Sequence, residues 1–181
     1  TTTEVVALIK DQKKPIANMK ILRDGNELEF NIKKRIIEIE SVESKVYERN
    51  GKNIGYIAIN TFADNTYTQF KKQLEDLEKK NISSLVIDVR NNSGGYLSTV
   101  TDIASQLLSK GKKIYQIEKD GKREVTKDKT ATSRSYPISI LVDGGSASAS
   151  EILAAAIKES YNGYVVGTNT YGKGTVQQTM S

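Results

Sequence analysis

Two short segments constrain this chain more than any other: SSLVIDVR at 83–90 and ISILVD at 138–143, both apolar with little interruption. A strand with one wet face alternates apolar and polar side chains. A run this apolar is a strand covered on both faces, as in parallel sheets flanked by helices. Each run leads through a small-residue loop into a helical pattern. RNNSGG precedes a segment with Leu97, Val100, Ile103, Ala104 and Leu107 on one face, and DGGSASAS precedes EILAAAIKES. Upstream, NIGYIAINTF at 53–62 reads as a strand, followed by a helix that buries Tyr67, Phe70, Leu74 and Leu77. Downstream, GYVVG at 163–167 reads as a further short strand. Strands alternating with helices predict an α/β fold with a largely parallel sheet from about residue 50.

Two hairpins interrupt that rhythm. KKIYQIEKD and KREVTKD turn at Asp120-Gly121, and NMKILRD and ELEFNIK are separated by Asp24-Gly25-Asn26. Such dipeptides adopt the positive φ that tight hairpins require. TTTEVVALIK places Val5, Val6, Leu8 and Ile9 at near-helical spacing behind threonines suited to capping, and RIIEIESV alternates like a strand. The N-terminal 40 or so residues therefore read as a helix and strands of a module entered part-way.

What the chain lacks narrows its chemistry. It has no cysteine, which removes disulfides and a thiol nucleophile, and no histidine. Without histidine there is no Ser-His-Asp triad, no Cys-His dyad and no histidine-based metal site. Lysine and carboxylates remain as bases. The net charge is +5, but acidic and basic residues interleave, as in KKQLEDLEKK, and no aromatics punctuate a basic patch. That pattern describes solvated surface rather than a nucleic-acid interface. No run approaches the roughly 18 apolar residues of a membrane span.

Ligands of such sheets bind at the carboxyl ends of the strands. Three loops qualify: RNNSGG at 90–95, DGGSASAS at 143–150 and GTNTYGKGT at 167–175. In the second, a helix N-terminus would favour negative charge beside a nucleophilic serine. Ser148 and Glu151 equally match a capping box, so the stretch by itself supports either reading. In the third, glycines flank Lys173. The ammonium of a free lysine has a pKa of about 10.4. Losing its proton near neutrality means about 4 kcal/mol of disfavoured charge, which burial without a carboxylate partner can supply. No acidic residue lies nearby along the chain; a solvated loop lysine is the alternative. GTNTYGK also has phosphate-loop spacing, but Gly174 follows where serine or threonine is needed, and TVQQTM is strand-like. In the first loop, two glycines suit backbone oxyanion donors as well as a plain tight turn. Asp88 and Arg90 read as a structural ion pair.

Taken in order, LVIDVRNNSGG, VDGGSASASEILAAAI and VVGTNTYGKGTVQQ, with IGYIAINTF ahead of them, resemble the C-terminal processing (tail-specific) peptidases across nearly the whole chain. The resemblance implies a serine endopeptidase with a Ser-Lys dyad, which needs no histidine. It puts the nucleophile at Ser148 and the general base at Lys173, with Gln177 holding the lysine amine. The oxyanion donors would be the backbone N–H groups of Gly94 and Ala149. Ser93 stands where family members often have proline. The implied fold is a spiral ββα (crotonase-like) peptidase core over 36–181, its C-terminal end incomplete, preceded at 1–35 by the closing part of a PDZ domain. It further implies protein or peptide substrates with apolar C-termini, no cofactor or metal, and an extracytoplasmic, envelope-associated location through parts outside this chain. It leaves room for a homo-oligomer. Two other classes stand beside it: a catalytically silent peptide-binding scaffold of the same fold, and a magnesium-dependent nucleotide-binding protein.

Overall fold

A computed structural model describes Val6, Ile9, residues 15–35 and residues 39–176. The expected N-terminal helix falls almost wholly outside them, as do 36–38 within RIIEIESV. The chain divides into two compact units, Thr1–Ile39 and Glu40–Ser181.

In the first unit, β1 (Ile16–Arg23) and β2 (Asn26–Lys33) pair antiparallel, with Arg23 opposite Asn26. The turn is only two residues long, and Asp24 and Gly25 both take positive φ, 53° and 77°. That is the tight turn whose twist matches the strands it joins. A cross-strand ion pair, Lys20 to Glu29 at 2.6 Å, lies in the open and contributes little.

The second unit carries a five-stranded sheet in the order β3-β4-β5-β8-β9. β3 (Val42–Arg49) pairs antiparallel with β4 (Lys52–Ile59). From β4 onward, β5 (Ile82–Asp88), β8 (Ile138–Val142) and β9 (Tyr164–Gly167) run parallel. The alternation of elements follows the sequence reading, but β3 is an addition to it. Its residues VESKVYER mix charge with isolated apolar side chains, as an edge strand does. Its turn at Asn50-Gly51 has both residues at positive φ. β6 (Lys113–Lys119) and β7 (Lys122–Lys127) form the separate hairpin expected at Asp120-Gly121.

Three helices cover the sheet: α1 (Thr66–Glu78), α2 (Leu97–Leu107) and α3 (Ala149–Ala156), the last continuing as a π-helical turn over Ile157–Tyr161. In α1 the spacing of Phe70, Leu74 and Leu77 gives a single apolar stripe, and all three are buried. Each such side chain stabilises the fold by about 1.5–3 kcal/mol. Tyr67 is only partly buried. The stripe meets Ile57, Leu85, Ile87 and Ile140 from the strands and Ile103 and Leu153 from the other helices in one core. Asn162 ends the π-helical turn in the left-handed conformation at φ 66°, and the chain then enters β9. Because β5, β8 and β9 are parallel, the loops after them emerge at the same edge of the sheet.

Candidate active site

Side chains and backbone of the three loops bind one another directly. Asp143, at the end of β8, accepts the Asn91 N–H at 2.9 Å, and the Ala147 N–H donates to the Asn92 carbonyl at 3.0 Å. Tyr171 closes the set, its N–H donating to the Ser146 carbonyl at 3.0 Å. The bond from Asn91 is the main influence holding the Asp143 carboxyl below its usual range.

Position within SASAS decides what each serine can do. The Ser146 hydroxyl is fully buried, donates to the Val89 carbonyl at 2.7 Å and accepts the Asp143 N–H at 3.0 Å. Ser150 is also fully buried, and its hydroxyl donates to the Asn92 carbonyl at 2.8 Å. Both are structural ties between loops. Ser148 is half-buried and has no such partner outside its own turn. The capping box forms there. Its firm bond runs from the Ser148 N–H to Glu151 Oε2 at 2.8 Å. The Glu151 N–H is already engaged by the Ser148 carbonyl at 2.9 Å, so the hydroxyl's share in the cap is weak. The backbone of Ser148 sits at φ 55°, ψ −113°, a conformation that costs an L-residue of order 1–3 kcal/mol and collects at functional sites. Sharp strand-to-helix turns of this kind push a nucleophile out at a helix N-terminus.

Lys173 comes from the third loop. The segment 171–176 joins neither helix nor sheet, so 174–176 do not open the helix whose N-terminus a phosphate loop would use. Its backbone is anchored by Glu151, whose Oε1 accepts the Gly172 N–H at 2.6 Å and the Thr170 hydroxyl at 2.7 Å, while Oε2 accepts the Lys173 N–H at 2.9 Å. Burial pushes the Glu151 carboxyl upward, but these bonds, with that from Ser148, outweigh it and hold the group below its ordinary range. Lys173 is exposed, as in the solvated-loop alternative, and not buried as a lysine base requires. The reason is that its segment lies over the surface and is held through backbone groups only.

Ser148 and Lys173 line the same two hollows. One, of about 360 Å³, runs between β6 and the outer face of α3, with Ile114, Tyr115, Ile152 and Ala155 on its walls. The other, of about 220 Å³, is bounded by Gly95, Tyr96, Leu97 and Ile152. Gly94 packs directly on the Ser148 turn: a Cβ there would lie 2.9 Å from Ser148 Cβ and 3.1 Å from the Ala149 nitrogen, at φ 106°. Gly94 and Ala149 are thus brought beside Ser148. The Gly94 N–H, however, donates to Asn92 Oδ1 at 2.9 Å. Gln177 lies outside the described residues.

Asp88 and Arg90 form the expected ion pair, with Nη2 to Oδ2 at 2.6 Å, and Tyr56 donates to the same carboxylate at 2.7 Å. Burial raises the Asp88 carboxyl, but Arg90 and Tyr56 together take it below its usual range. Sequence reasoning treated Glu151 as a cap only and passed over Asn92. Among the described residues, no group of three or more carboxylates could hold a metal ion, and no helix is long and apolar enough to cross a membrane.

Residues 53–181 match peptidase family S41. Carboxy-terminal processing protease CtpB of Bacillus subtilis is 43% identical over 178 residues, 97% of this chain and 37% of that protein. Carboxy-terminal processing protease CtpA of the same organism is 37% identical over 176 residues, 96% of this chain and again 37% of the relative. Among solved structures, the photosystem II D1 C-terminal processing protease superposes with a TM-score of 0.70 at 28% identity, covering 84% of this chain and 42% of that one. The mixed α/β sheet and its helices are therefore an architecture seen in such proteases, and the chain spans well under half the length of its relatives. With the match running from Asn53 through the whole of the parallel sheet and its three loops, this chain belongs to peptidase family S41.

Proposed function

We propose that this chain carries the serine endopeptidase centre of a C-terminal processing protease, with Ser148 as nucleophile and Lys173 as general base. The observation that carries the reading is the division of labour within SASAS. Ser146 and Ser150 spend their hydroxyls on the carbonyls of Val89 and Asn92, and of the three serines Ser148 alone lines hollows that it shares with Lys173. The named relatives are carboxy-terminal processing proteases, which supports the same substrate class here.

In this reading the neutral Lys173 amine takes the hydroxyl proton as Ser148 Oγ bonds to the scissile carbonyl carbon. The carbonyl π electrons move to oxygen, and the oxyanion is held by the N–H groups of Ala149 and Gly94. Collapse of the tetrahedral centre breaks the C–N bond while the lysine ammonium returns the proton to the leaving amine. Water then repeats the sequence on the acyl-enzyme and frees Ser148. Gln177 would orient the lysine amine. A peptide bound across the two hollows would cover Lys173, which lies exposed here.

The core is then of spiral ββα, crotonase-like type, and the hairpin of the first unit closes a PDZ domain that receives apolar C-terminal tails. The place of action is extracytoplasmic, at the envelope. The test is cleavage by the intact protein of a peptide with a free apolar C-terminus, its amidated twin, and both with Ser148→Ala and Lys173→Ala variants. Cleavage should vanish in either variant and fall on amidation. Turnover at the parent's rate by Ser148→Ala would sink the assignment, as would a fluorophosphonate probe that leaves Ser148 unlabelled.

A further inference from the structure

Asn92 is fully buried, yet it touches three parts of the site. Its Nδ2 donates to the Ile59 carbonyl at the end of β4 at 2.7 Å, and its Oδ1 accepts the Gly94 N–H at 2.9 Å. Its own carbonyl accepts the Ala147 N–H at 3.0 Å and the Ser150 hydroxyl at 2.8 Å. A carboxamide with a carbonyl on one side and an N–H on the other satisfies both in only one orientation. The residue therefore joins β4, the glycine loop and the Ser148 turn, and its side chain is fixed.

The consequence concerns Gly94. Its backbone packs against Ser148 and Ala149, where an oxyanion would form, but its N–H is committed to Asn92. Resting on the peptidase reading above, we propose that Asn92 is a positioning residue that serves as the standby acceptor for the Gly94 N–H, which transfers to the substrate oxygen as negative charge builds beside Ser148. A neutral substrate carbonyl offers the N–H nothing better than the neutral carboxamide it already has. An ionised oxygen does, because charge-assisted hydrogen bonds are roughly twice as strong as neutral ones. The donor is thus realised in the transition state and not in the ground state, so it acts on kcat rather than on KM. Between turnovers the buried N–H keeps a partner and avoids the penalty of an unsatisfied donor.

The test is Asn92→Asp in the intact protein, a change of charge at almost constant size. An ionised carboxylate would hold the Gly94 N–H about as firmly as the oxyanion does, and it would lose the bond to Ile59. kcat should fall about 100-fold, the scale of losing one oxyanion donor, with KM within about twofold of the parent. The deficit relative to the parent should shrink as pH falls through the titration of the new carboxyl, whose neutral form restores a weak acceptor and a donor. A variant with the parent's kcat at every pH overturns the proposal, and so does a purely thermal defect with kcat per labelled Ser148 intact.

Should Asn92→Asp fail to fold, the parent protein labelled with ¹⁵N-glycine is titrated with a peptide boronic acid. The serine oxygen adds to boron to give a tetrahedral anion, and its proton passes to Lys173. The Gly94 amide proton should move strongly downfield on adduct formation. An adduct that leaves Gly94 unmoved defeats the role of Asn92 alone. Absence of any adduct at Ser148 defeats the peptidase reading and this proposal with it.

Discussion

The carboxylate of Glu151 accepts the backbone N–H of Lys173 at 2.9 Å. The same oxygen accepts the N–H of Ser148 at 2.8 Å, so one carboxylate sets the spacing between the two residues proposed as base and nucleophile. Its other oxygen takes Thr170 and Gly172. The loop that brings Lys173 to the site has no sheet or helix of its own, and Glu151 replaces that missing secondary structure with three hydrogen bonds.

Glu151→Gln tests this directly. The substitution keeps one acceptor oxygen but turns an NH2 group toward donors that need an acceptor. kcat/KM should fall at least about 10-fold, and the segment 171–176 should be cut faster in limited proteolysis. The melting temperature should move by no more than a few degrees, since the group lies at the surface side of the core. Unchanged turnover with an intact loop would show that the clamp does not govern the dyad.

A pH dependence follows from the same bonds. The folded Glu151 carboxyl lies below its ordinary value of 4.5, so the unfolded or released form binds a proton first as pH drops. The stabilisation is fully present above that ordinary value and is lost as pH falls through the lowered folded value. The amide resonances of Gly172 and Lys173 should therefore stay constant down to about pH 5 and shift together below about 4.5, in step with the Glu151 carboxyl. In Glu151→Gln that step should be absent. Its persistence would assign the transition to another carboxylate, such as Asp88 or Asp143, which are held low by Arg90 and Asn91.

The three serines should separate cleanly on substitution. Ser150→Ala leaves the buried Asn92 carbonyl with only the Ala147 N–H, which should cost about 1 kcal/mol of stability and some activity through a shifted turn. Ser146→Ala removes both a donor to Val89 and an acceptor for Asp143, so its cost should be larger, about 2 kcal/mol. Ser148→Ala should leave urea unfolding within about 0.5 kcal/mol of the parent while abolishing peptide cleavage. Equal stability losses at all three positions would contradict the division of labour described above.

Much of the fold was legible because burial writes itself into composition. Strands covered on both faces are mostly apolar, so LVI and ISILV announced β5 and β8, with the charge of Asp88 confined to the end of β5 and paired with Arg90. β3 was missed for the converse reason: at the edge of a sheet, VESKVYER needs no apolar run, and only Asn50-Gly51 marked its hairpin. Within the site, the convergence of three loops followed from parallel strands. The choice among Ser146, Ser148 and Ser150 did not, since it depends on which carbonyl lies opposite each hydroxyl, and those carbonyls are 57 and 58 residues away in the chain. Glu151 was read as a local cap for a related reason. Its partners in the Lys173 loop are 19, 21 and 22 residues on, and nothing in SASE points to them.

Strain at Ser148 gives the last expectation. At φ 55°, ψ −113°, its Cβ meets a clash that alanine shares and glycine does not. Ser148→Gly and Ser148→Ala both remove the hydroxyl, so both should be inactive, and they differ in backbone cost alone. Relief of about 1–3 kcal/mol of strain, less the larger unfolded-state entropy of glycine, leaves a net gain of about 1 kcal/mol. For a chain of this size that corresponds to roughly 2–4 °C, so Ser148→Gly should melt that much above Ser148→Ala in calorimetry. A glycine variant melting at or below the alanine variant would mean the turn is relaxed. The exposure of Ser148 would then come from loop placement alone, without strain held in the backbone.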